Sequence, residues 1–397
     1  MPDGTWKIYG GKIVTPGGVI ENGTVVIDNG VITEVSRAGN VQRGANDVDA
    51  SGYWIIPGII DTHSDAIEHE MQPRPASRFP IEWSFVELER KLAAQGITTI
   101  YHSLSMWDDG ASNAARRNSS VMQFVKDIHR MNTQPRLIRN RIHIRFEITN
   151  RNAVPFIEQL LRDKAINQLS FMDHTPGQGQ YRDIEVHKRF VMERQNKTED
   201  EVLQIFEERK SRPKTSFDEL LMLSELAARY GIPLASHDDD SIEKLDVVSE
   251  WNASISEFPV DLIVAVEAKR RGMHVVMGAP NVMMGKSHSN NLSALEAVRE
   301  GVVDIFCSDY YPPSMLQSVF LLHRLGYDLN WAVNMVTLNP AKALGIDSHT
   351  GSVEPGKSAD LLMVGLHGDQ PVIDRVWVGG RTVCQMLYQQ FDAVSAY

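Results

Sequence analysis

The two ends of the chain share a pattern of short apolar runs separated by turn residues. Near the N-terminus the runs lie at 13–14 and 25–27, and near the C-terminus at 360–364 and 376–378, with Gly-Gly or Asn-Gly pairs close to them. This pattern predicts short strands joined by tight turns. Because neither end is long enough to bury a core alone, we expect residues 1–55 and 346–397 to form one composite β-sandwich domain. Two separate edge ribbons are the alternative.

The middle of the chain, residues 56–345, repeats a different pattern, in which an apolar run ends in polar residues and a helical stretch follows. Such runs occur at 56–65, 98–103, 143–147, 168–174, 233–237, 255–258, 274–281 and 304–310. Alternating strands and helices indicate the α/β class with a parallel sheet. Eight repeats favour a (β/α)8 TIM-like barrel, whose functional groups lie at the C-terminal ends of the strands. An open doubly wound sheet is disfavoured, because no glycine-rich phosphate loop follows the first run.

One segment of this middle region, from about residue 175 to 214, is too long and too charged for an ordinary loop of a barrel. Acidic and basic residues alternate along it, which predicts a helical insertion. The pattern leaves two interpretations open: a solvated excursion on the barrel mouth, or a lid over it.

Charge and composition restrict the partners that we expect. The formal net charge of −11 disfavours binding to nucleic acid or to an anionic membrane. No run approaches the roughly 18 apolar residues of a membrane span, and the N-terminus lacks a signal-peptide pattern. The two cysteines, Cys307 and Cys384, are not in a CxxC pair. We therefore expect a cytoplasmic enzyme with a small-molecule substrate, and leave a homo-oligomer open.

Histidines and carboxylates end several of the predicted strands. His63 and Asp65 have the i, i+2 spacing that puts two side chains on one face of a strand. His237 and Asp309 end two further apolar runs, and Glu147 and His174 end two more. Imidazoles and carboxylates that converge from different strands are the ligands of a divalent metal site.

Two long motifs carry a resemblance to a known superfamily. Residues 56–63, IPGIIDTH, resemble the PGxIDxHxH opening of the amidohydrolase superfamily, and the endings at 338–345 and 351–361 are equally typical of it. Where most members have His-x-His, this chain has His63-Ser64-Asp65. This replacement is one of several features in which the chain resembles the PhnM family. The others are the motifs at 170–178, 235–239, 277–281 and 308–312. Members of that family are diphosphatases of the carbon–phosphorus lyase pathway for phosphonates.

The resemblance implies a metal-dependent hydrolase that cleaves a ribose 1-methylphosphonate 5-triphosphate and releases diphosphate. It implies two divalent ions, with zinc as the expected metal and manganese or iron as alternatives. The implied metal ligands are His63, Asp65, Glu147, His174, His237 and Asp309. Among these, Glu147 is the candidate for a bridging ligand, and a simple ion pair with Arg145 is the alternative. Asp309 is the expected catalytic residue, because it can orient the attacking water and accept its proton.

A phosphorylated substrate also requires basic residues in an acidic protein. Arg74, Arg78 and Lys286 lie in loops that follow predicted barrel strands, and His288 lies beside Lys286. The guanidinium group suits phosphate oxygens, so we expect these four residues to contact substrate. The alternative for Arg74, Arg78 and Lys286 is a solvated loop side chain.

Two other functions remain possible for this scaffold. The first is an amidase or deaminase that attacks a carbon centre. Asp65 in place of the usual second histidine, and the basic loop residues, argue against this function. The second is a non-catalytic barrel used for assembly, against which the full candidate ligand set weighs. Release of phosphate against ammonia, and metal analysis, distinguish these alternatives.

Overall fold

The computed structural model describes residues 4–37, 44–74, 76–107, 114–195, 197–285 and 291–389. Its strands, in chain order, are β1 Thr5–Thr15, β2 Gly18–Asp28, β3 Val31–Arg37, β4 Val48–Asp49, β5 Trp54–Pro57, β6 Ile59–Ser64, β7 Ile97–Met106, β8 Arg139–Glu147, β9 Gln168–Met172, β10 Leu234–His237, β11 Ile255–Glu257, β12 His274–Gly278, β13 Ile305–Cys307, β14 Leu361–His367, β15 Gln370–Val378 and β16 Arg381–Gln385. These strands form two sheets.

Helices follow most of the strands between β6 and β14. They are α1 Ala66–Met71, α2 Ile81–Ala94, α3 Asn118–Asn132, α4 Val154–Arg162, α5 Ile184–Gln195, α6 Glu199–Ser211, α7 Phe217–Arg229, α8 Ile242–Glu250, α9 Leu262–Arg270, α10 Ala279–Met284, α11 Ala294–Arg299, α12 Ser314–Arg324, α13 Leu329–Asn334 and α14 Leu338–Ala343. Among the described residues, none of these helices combines the length and the apolar character needed to cross a membrane.

The central sheet is a parallel barrel of eight strands, which confirms the predicted fold class. Strands β6 to β13 pair in sequence order, and each of the eight predicted runs overlaps one of them. The barrel closes between its first and last strands, where Asp65 N donates to Asp309 O at 2.7 Å and Asp309 N donates to His63 O at 3.0 Å. Asp61 Oδ1 accepts from Ser308 N at 3.0 Å just below this point. Closure of the barrel therefore places three candidate site residues side by side.

The second sheet joins the two chain ends, in the order β16-β15-β14-β5-β1-β2-β3, with β4 beside β1. Trp6 of β1 and Trp377 of β15 pack with ring centres 5.9 Å apart. The two strands are three positions apart in the sheet, and neighbouring strands lie about 4.8 Å apart. The sheet therefore folds over on itself around a core of its own. That core contains Trp6, Ile8, Ile13, Val25, Ile27, Ile32, Ala50, Ile55, Val353, Ala359, Leu361, Met363 and Trp377. The exact domain boundaries remain a prediction.

Asp360 connects the barrel to the terminal sheet. The residue is 3% exposed, and Arg139, at the start of β8, donates to its Oδ2 at 2.6 Å. Thr350 Oγ1 donates to the same oxygen at 2.9 Å, and the Gly379 amide donates to Oδ1 at 2.8 Å. The buried Asp360 carboxylate thus bonds to three parts of the chain: the barrel strand β8, the segment that follows α14, and the turn between β15 and β16.

We predict that Asp360→Ala lowers the free energy of unfolding by roughly 2–4 kcal/mol, because several buried donors lose their acceptor at once. The matched control is Asp369→Ala, on the exposed β14–β15 turn of the same sheet. Urea unfolding of both variants measures the difference. Equal stability of the two variants would show that Asp360 does not join the domains.

Candidate metal centre

The C-terminal ends of the barrel strands bring three of the predicted histidines together in a buried cluster. His63 is the penultimate residue of β6 and His237 is the last residue of β10. Their rings lie nearly parallel, 6° apart, with centres separated by 5.4 Å. The His174 ring, beyond the end of β9, lies 5.8 Å from the ring of His237. All three residues are at most 5% exposed. The cluster thus forms at the end of the barrel where function is expected.

The Glu257 carboxylate, at the end of β11, lies between two of these imidazoles. Its Oε1 is 3.2 Å from His63 Nδ1, and its Oε2 is 3.3 Å from His237 Nδ1. Burial, the largest influence, raises the pKa of Glu257, but the lowering effects of His63, His143 and His237 together outweigh it, so the pKa lies well below its usual value. An ionised carboxylate at the two Nδ1 atoms favours a proton on each of them, and it leaves both Nε2 atoms able to accept a hydrogen bond or to bind a metal.

A guanidinium group lies at the centre of the cluster. Arg145 of β8 donates from Nη1 to both carboxylate oxygens of Asp65, at 3.0 and 3.2 Å, and from Nη2 to His237 Nε2 at 3.0 Å. Burial, the largest influence, raises the pKa of Asp65, but the charges of Arg145, His63 and Arg116 together outweigh it and the pKa falls to about 2. Arg145 therefore pairs with Asp65, and not with Glu147 as the alternative sequence interpretation supposed. This alternative was wrong because Arg145 and Glu147, two residues apart on β8, lie side by side on one face of the strand. Each of them reaches a different partner instead of the other.

Glu147 and His174 form the second half of the cluster. Glu147 Oε2 accepts from His174 Nδ1 at 2.7 Å, and the same carboxylate accepts the His174 amide at 3.2 Å. The other ring nitrogen, His174 Nε2, lies 3.8 Å from Asp238 Oδ2, which is also 3.6 Å from His237 Nε2. Glu147 therefore orients His174 here, and its role as a bridging ligand remains a prediction.

Asp309 lies at the barrel closure with a backbone φ of 54°. A left-handed conformation is uncommon for a residue other than glycine and is often found at functional sites. Asp238 and Phe258, which directly follow β10 and β11, have similar φ values of 52° and 56°. Burial, followed by the charge of Asp65, raises the pKa of Asp309 to about 6. The left-handed backbone of these three residues thus turns the chain sharply after β10, β11 and β13 and keeps their side chains at the barrel mouth.

The residues of the cluster fit a divalent cation. His63 Nε2 is buried and has no hydrogen-bond partner among the described residues. The donor atoms of His63, His237 and Glu257 lie within 4.8 Å of one another, as do those of His174, His237 and Asp238. Burial raises the pKa of Asp238 to about 6 as well, so the nearby cations of the protein do not offset the burial of this carboxylate. Burial, then Arg145, lowers the pKa of His237 well below its usual value, which favours the neutral form that binds metals.

The predicted substrate residues lie elsewhere or outside the described part of the chain. Arg74 and Arg78 are exposed, and the Arg78 guanidinium lies 5.9 Å from the ring centre of Phe124 on α3. Lys286 and His288 lie outside the described residues. The substrate-binding role of these four residues remains a prediction.

Sequence reasoning missed Glu257, Asp238 and Arg145 as members of the cluster. Glu257 ends the predicted run 255–258, so the strand-end criterion that selected His63 also applied to it. Arg145 lies on β8 between His143 and Glu147, in a period-two pattern that puts all three on one face. This alternation in the sequence could have predicted that the interior of the barrel is polar here.

The family of the chain is shown by comparison with known proteins. The model of the amidohydrolase family matches residues 54–383. The chain belongs to the amidohydrolase family. It is also 30% identical to the alpha-D-ribose 1-methylphosphonate 5-triphosphate diphosphatase of Escherichia coli strain K12, over 92% of this chain and 98% of that protein. This relationship confirms the resemblance to the PhnM family. As amidohydrolases typically bind divalent metals, the family and the donor cluster agree.

Other relatives have different activities. The chain is 25% identical to the 5-methylthioadenosine/S-adenosylhomocysteine deaminase of Pyrococcus furiosus, over 90% of this chain and 84% of that protein. Among solved structures, a putative prolidase from Bifidobacterium longum has a TM-score of 0.65 at 16% identity, covering 98% of this chain and 97% of that chain. At such identity the structural likeness shows the fold alone.

We predict that Glu257→Gln weakens divalent metal affinity about 10- to 100-fold, because the amide no longer holds both Nδ1–H groups with a charge. Competition with a chromophoric chelator measures the affinity. Glu300→Gln, on the exposed surface after α11, is the control. Unchanged affinity in Glu257→Gln would contradict the orienting role of this carboxylate.

Proposed function

We propose that this hydrolase cleaves the triphosphate of a ribose 1-phosphonate 5-triphosphate, releases diphosphate and leaves the 5-monophosphate, in phosphonate catabolism. The observation that carries the proposal is the identity of 30% to the Escherichia coli diphosphatase over almost the full length of both proteins. The buried guanidinium among the carboxylates agrees with a substrate of high negative charge. The proposed substrate is a small phosphorylated molecule.

The proposed metal ligands are the predicted set, His63, Asp65, Glu147, His174, His237 and Asp309, with Asp238 added from the geometry. A bound divalent ion, most simply zinc in a pair, supplies charge that polarises a phosphoryl oxygen and lowers the pKa of water. Glu257 keeps the His63 and His237 rings in place, and Glu147 does the same for His174. The rigid strand ends position these groups before the substrate arrives.

In the proposed reaction the oxygen of a water molecule bonds to the α-phosphorus of the triphosphate. The bond from that phosphorus to the bridging oxygen breaks, and its electron pair leaves with diphosphate. Asp309 accepts one proton of the water, and the second stays with the phosphoryl product until solvent removes it. Arg145, held by Asp65 beside the cluster, contributes positive charge where negative charge develops on the phosphoryl group.

The main competing function is hydrolysis at a carbon centre, as in a deaminase. The relationship to the Pyrococcus furiosus deaminase favours it. The paired Arg145 and Asp65 weigh against it, because a neutral purine-like substrate gains little from a guanidinium at the reacting centre.

We predict that incubation with ribose 1-methylphosphonate 5-triphosphate and zinc yields diphosphate and the 5-monophosphate in equal amounts. Phosphorus NMR follows both products, and an ammonia assay runs in parallel with 5-methylthioadenosine. Ammonia release without diphosphate release would replace the proposed function by the deaminase. Orthophosphate as the first product would place the cleavage at the wrong phosphorus.

We predict that Asp309→Asn lowers kcat for diphosphate release about 10²- to 10⁴-fold, since an amide cannot accept the proton of the attacking water. Asp369→Asn, on an exposed turn, is the matched control. Steady-state turnover of both variants, with thermal melting to check folding, tests the role. Turnover of Asp309→Asn within twofold of wild type would remove Asp309 from the catalytic step.

A further inference from the structure

The segment between β9 and α7 forms a helical pair with its own apolar core. Val191 of α5 packs with Val202 and Phe206 of α6. The pair is tied to the barrel mouth at both ends: Gly179 N donates to Asp240 Oδ2 at 2.7 Å before it, and Lys214 Nζ donates to Asp173 Oδ2 at 2.6 Å after it. The insertion is therefore positioned relative to the metal centre by contacts with residues that follow β9 and β10.

Three planar groups stack between this insertion and the metal centre. The Trp107 ring, directly after β7, lies parallel to the His174 ring within 8°, with centres 4.8 Å apart. The Arg209 guanidinium, from the last turn of α6, lies 5.4 Å from the Trp107 ring centre. A guanidinium on an indole face gains from cation–π attraction. The stack brings a cation of the insertion to the edge of the candidate site.

The same region contains a small cavity that opens beside the metal centre. It is lined by Trp107, Glu147, Thr149, His174, Thr175, Arg209 and Arg212. The Glu147 carboxylate is hydrogen-bonded to His174, and Arg212 lies 2.8 Å from Glu208 on the outer side of α6. Both arginines are half-buried, so each keeps one side that faces solvent.

We propose that Arg209 and Arg212 form an anion subsite that holds the two terminal phosphates of the substrate, which leave as diphosphate. This proposal rests on the proposed function and names the part of the substrate that the insertion recognises. A guanidinium presents its donors in a planar fork that matches phosphate oxygens. The Trp107 face fixes the plane of Arg209, so less freedom is lost when a phosphate binds.

The charge of the molecule supports this location. The chain carries a net charge of −11, and the cluster around His174 contains the carboxylates of Glu147 and Asp238. A polyphosphate needs local cations to approach such a site, and Arg209 and Arg212 line the cavity that reaches His174. The subsite gives the charged insertion a function in substrate recognition.

The test compares two ligands of the zinc-loaded enzyme by isothermal titration calorimetry: diphosphate, a product of the proposed reaction, and ribose 5-phosphate, an analogue of the other product. We expect Arg209→Ala and Arg212→Ala each to weaken diphosphate binding roughly tenfold or more, the scale of one charged hydrogen bond. Binding of ribose 5-phosphate is expected to stay within twofold. The matched control is Lys210→Ala, which removes a cation from the same turn of α6 that pairs with Glu207. Metal content, measured before and after each titration, shows that diphosphate has not removed the zinc.

Arg209→Lys keeps the charge and loses the planar fork, so we expect diphosphate affinity between those of wild type and Arg209→Ala. Equal diphosphate affinity in wild type, both alanine variants and Lys210→Ala would overturn the subsite. So would a loss confined to ribose 5-phosphate, because the arginines would then hold another part of the substrate. The NMR assay tests the proposed function separately: if that function is wrong, the enzyme releases no diphosphate from the triphosphate.

Discussion

The buried carboxylate of Glu257 is the interaction on which the arrangement of the site depends. It touches His63 and His237 from different strands, and it also accepts from Gln168 Nε2 at 3.1 Å. A charge in the interior of a barrel is costly unless donors surround it. His237 Nδ1 bonds to this carboxylate and His63 Nδ1 lies 3.2 Å from it, so the orientations of these two rings depend on a single buried charge. The third ring, His174, is oriented separately by Glu147.

The fold and the site share the same hydrogen bonds. The backbone groups that close the barrel belong to His63, Asp65 and Asp309, so a barrel that failed to close would also separate these side chains. The left-handed conformations of Asp238, Phe258 and Asp309 store backbone strain at the strand ends. The strain persists because the backbone amide of each residue bonds to a neighbouring barrel strand, at Glu257 O, Val276 O and His63 O respectively. The fold is therefore locally strained at the barrel mouth, where these residues hold polar side chains close together.

The sequence predicts the barrel well, because a strand buried on both faces leaves a clear apolar run with a polar end. All eight runs overlap a barrel strand. It predicts the partners of the polar ends poorly. Arg145 and Asp65 are far apart in sequence, and no local pattern indicates that they pair rather than Arg145 and Glu147. Arg209 was one of many charges in the insertion, and its stacking on Trp107 depends on how α6 docks. Such contacts follow from tertiary packing, which periodicity does not encode.

The central claim is that the Glu257-held histidines at the barrel mouth bind a divalent metal. The most direct measurement is anomalous X-ray diffraction at the zinc edge, from crystals of the zinc-loaded protein. The account predicts an anomalous peak in contact with the His63 and His237 side chains, at the C-terminal end of the barrel. Zinc peaks confined to the protein surface, with the Arg145 guanidinium still bonded to His237 and no peak at the cluster, would contradict it.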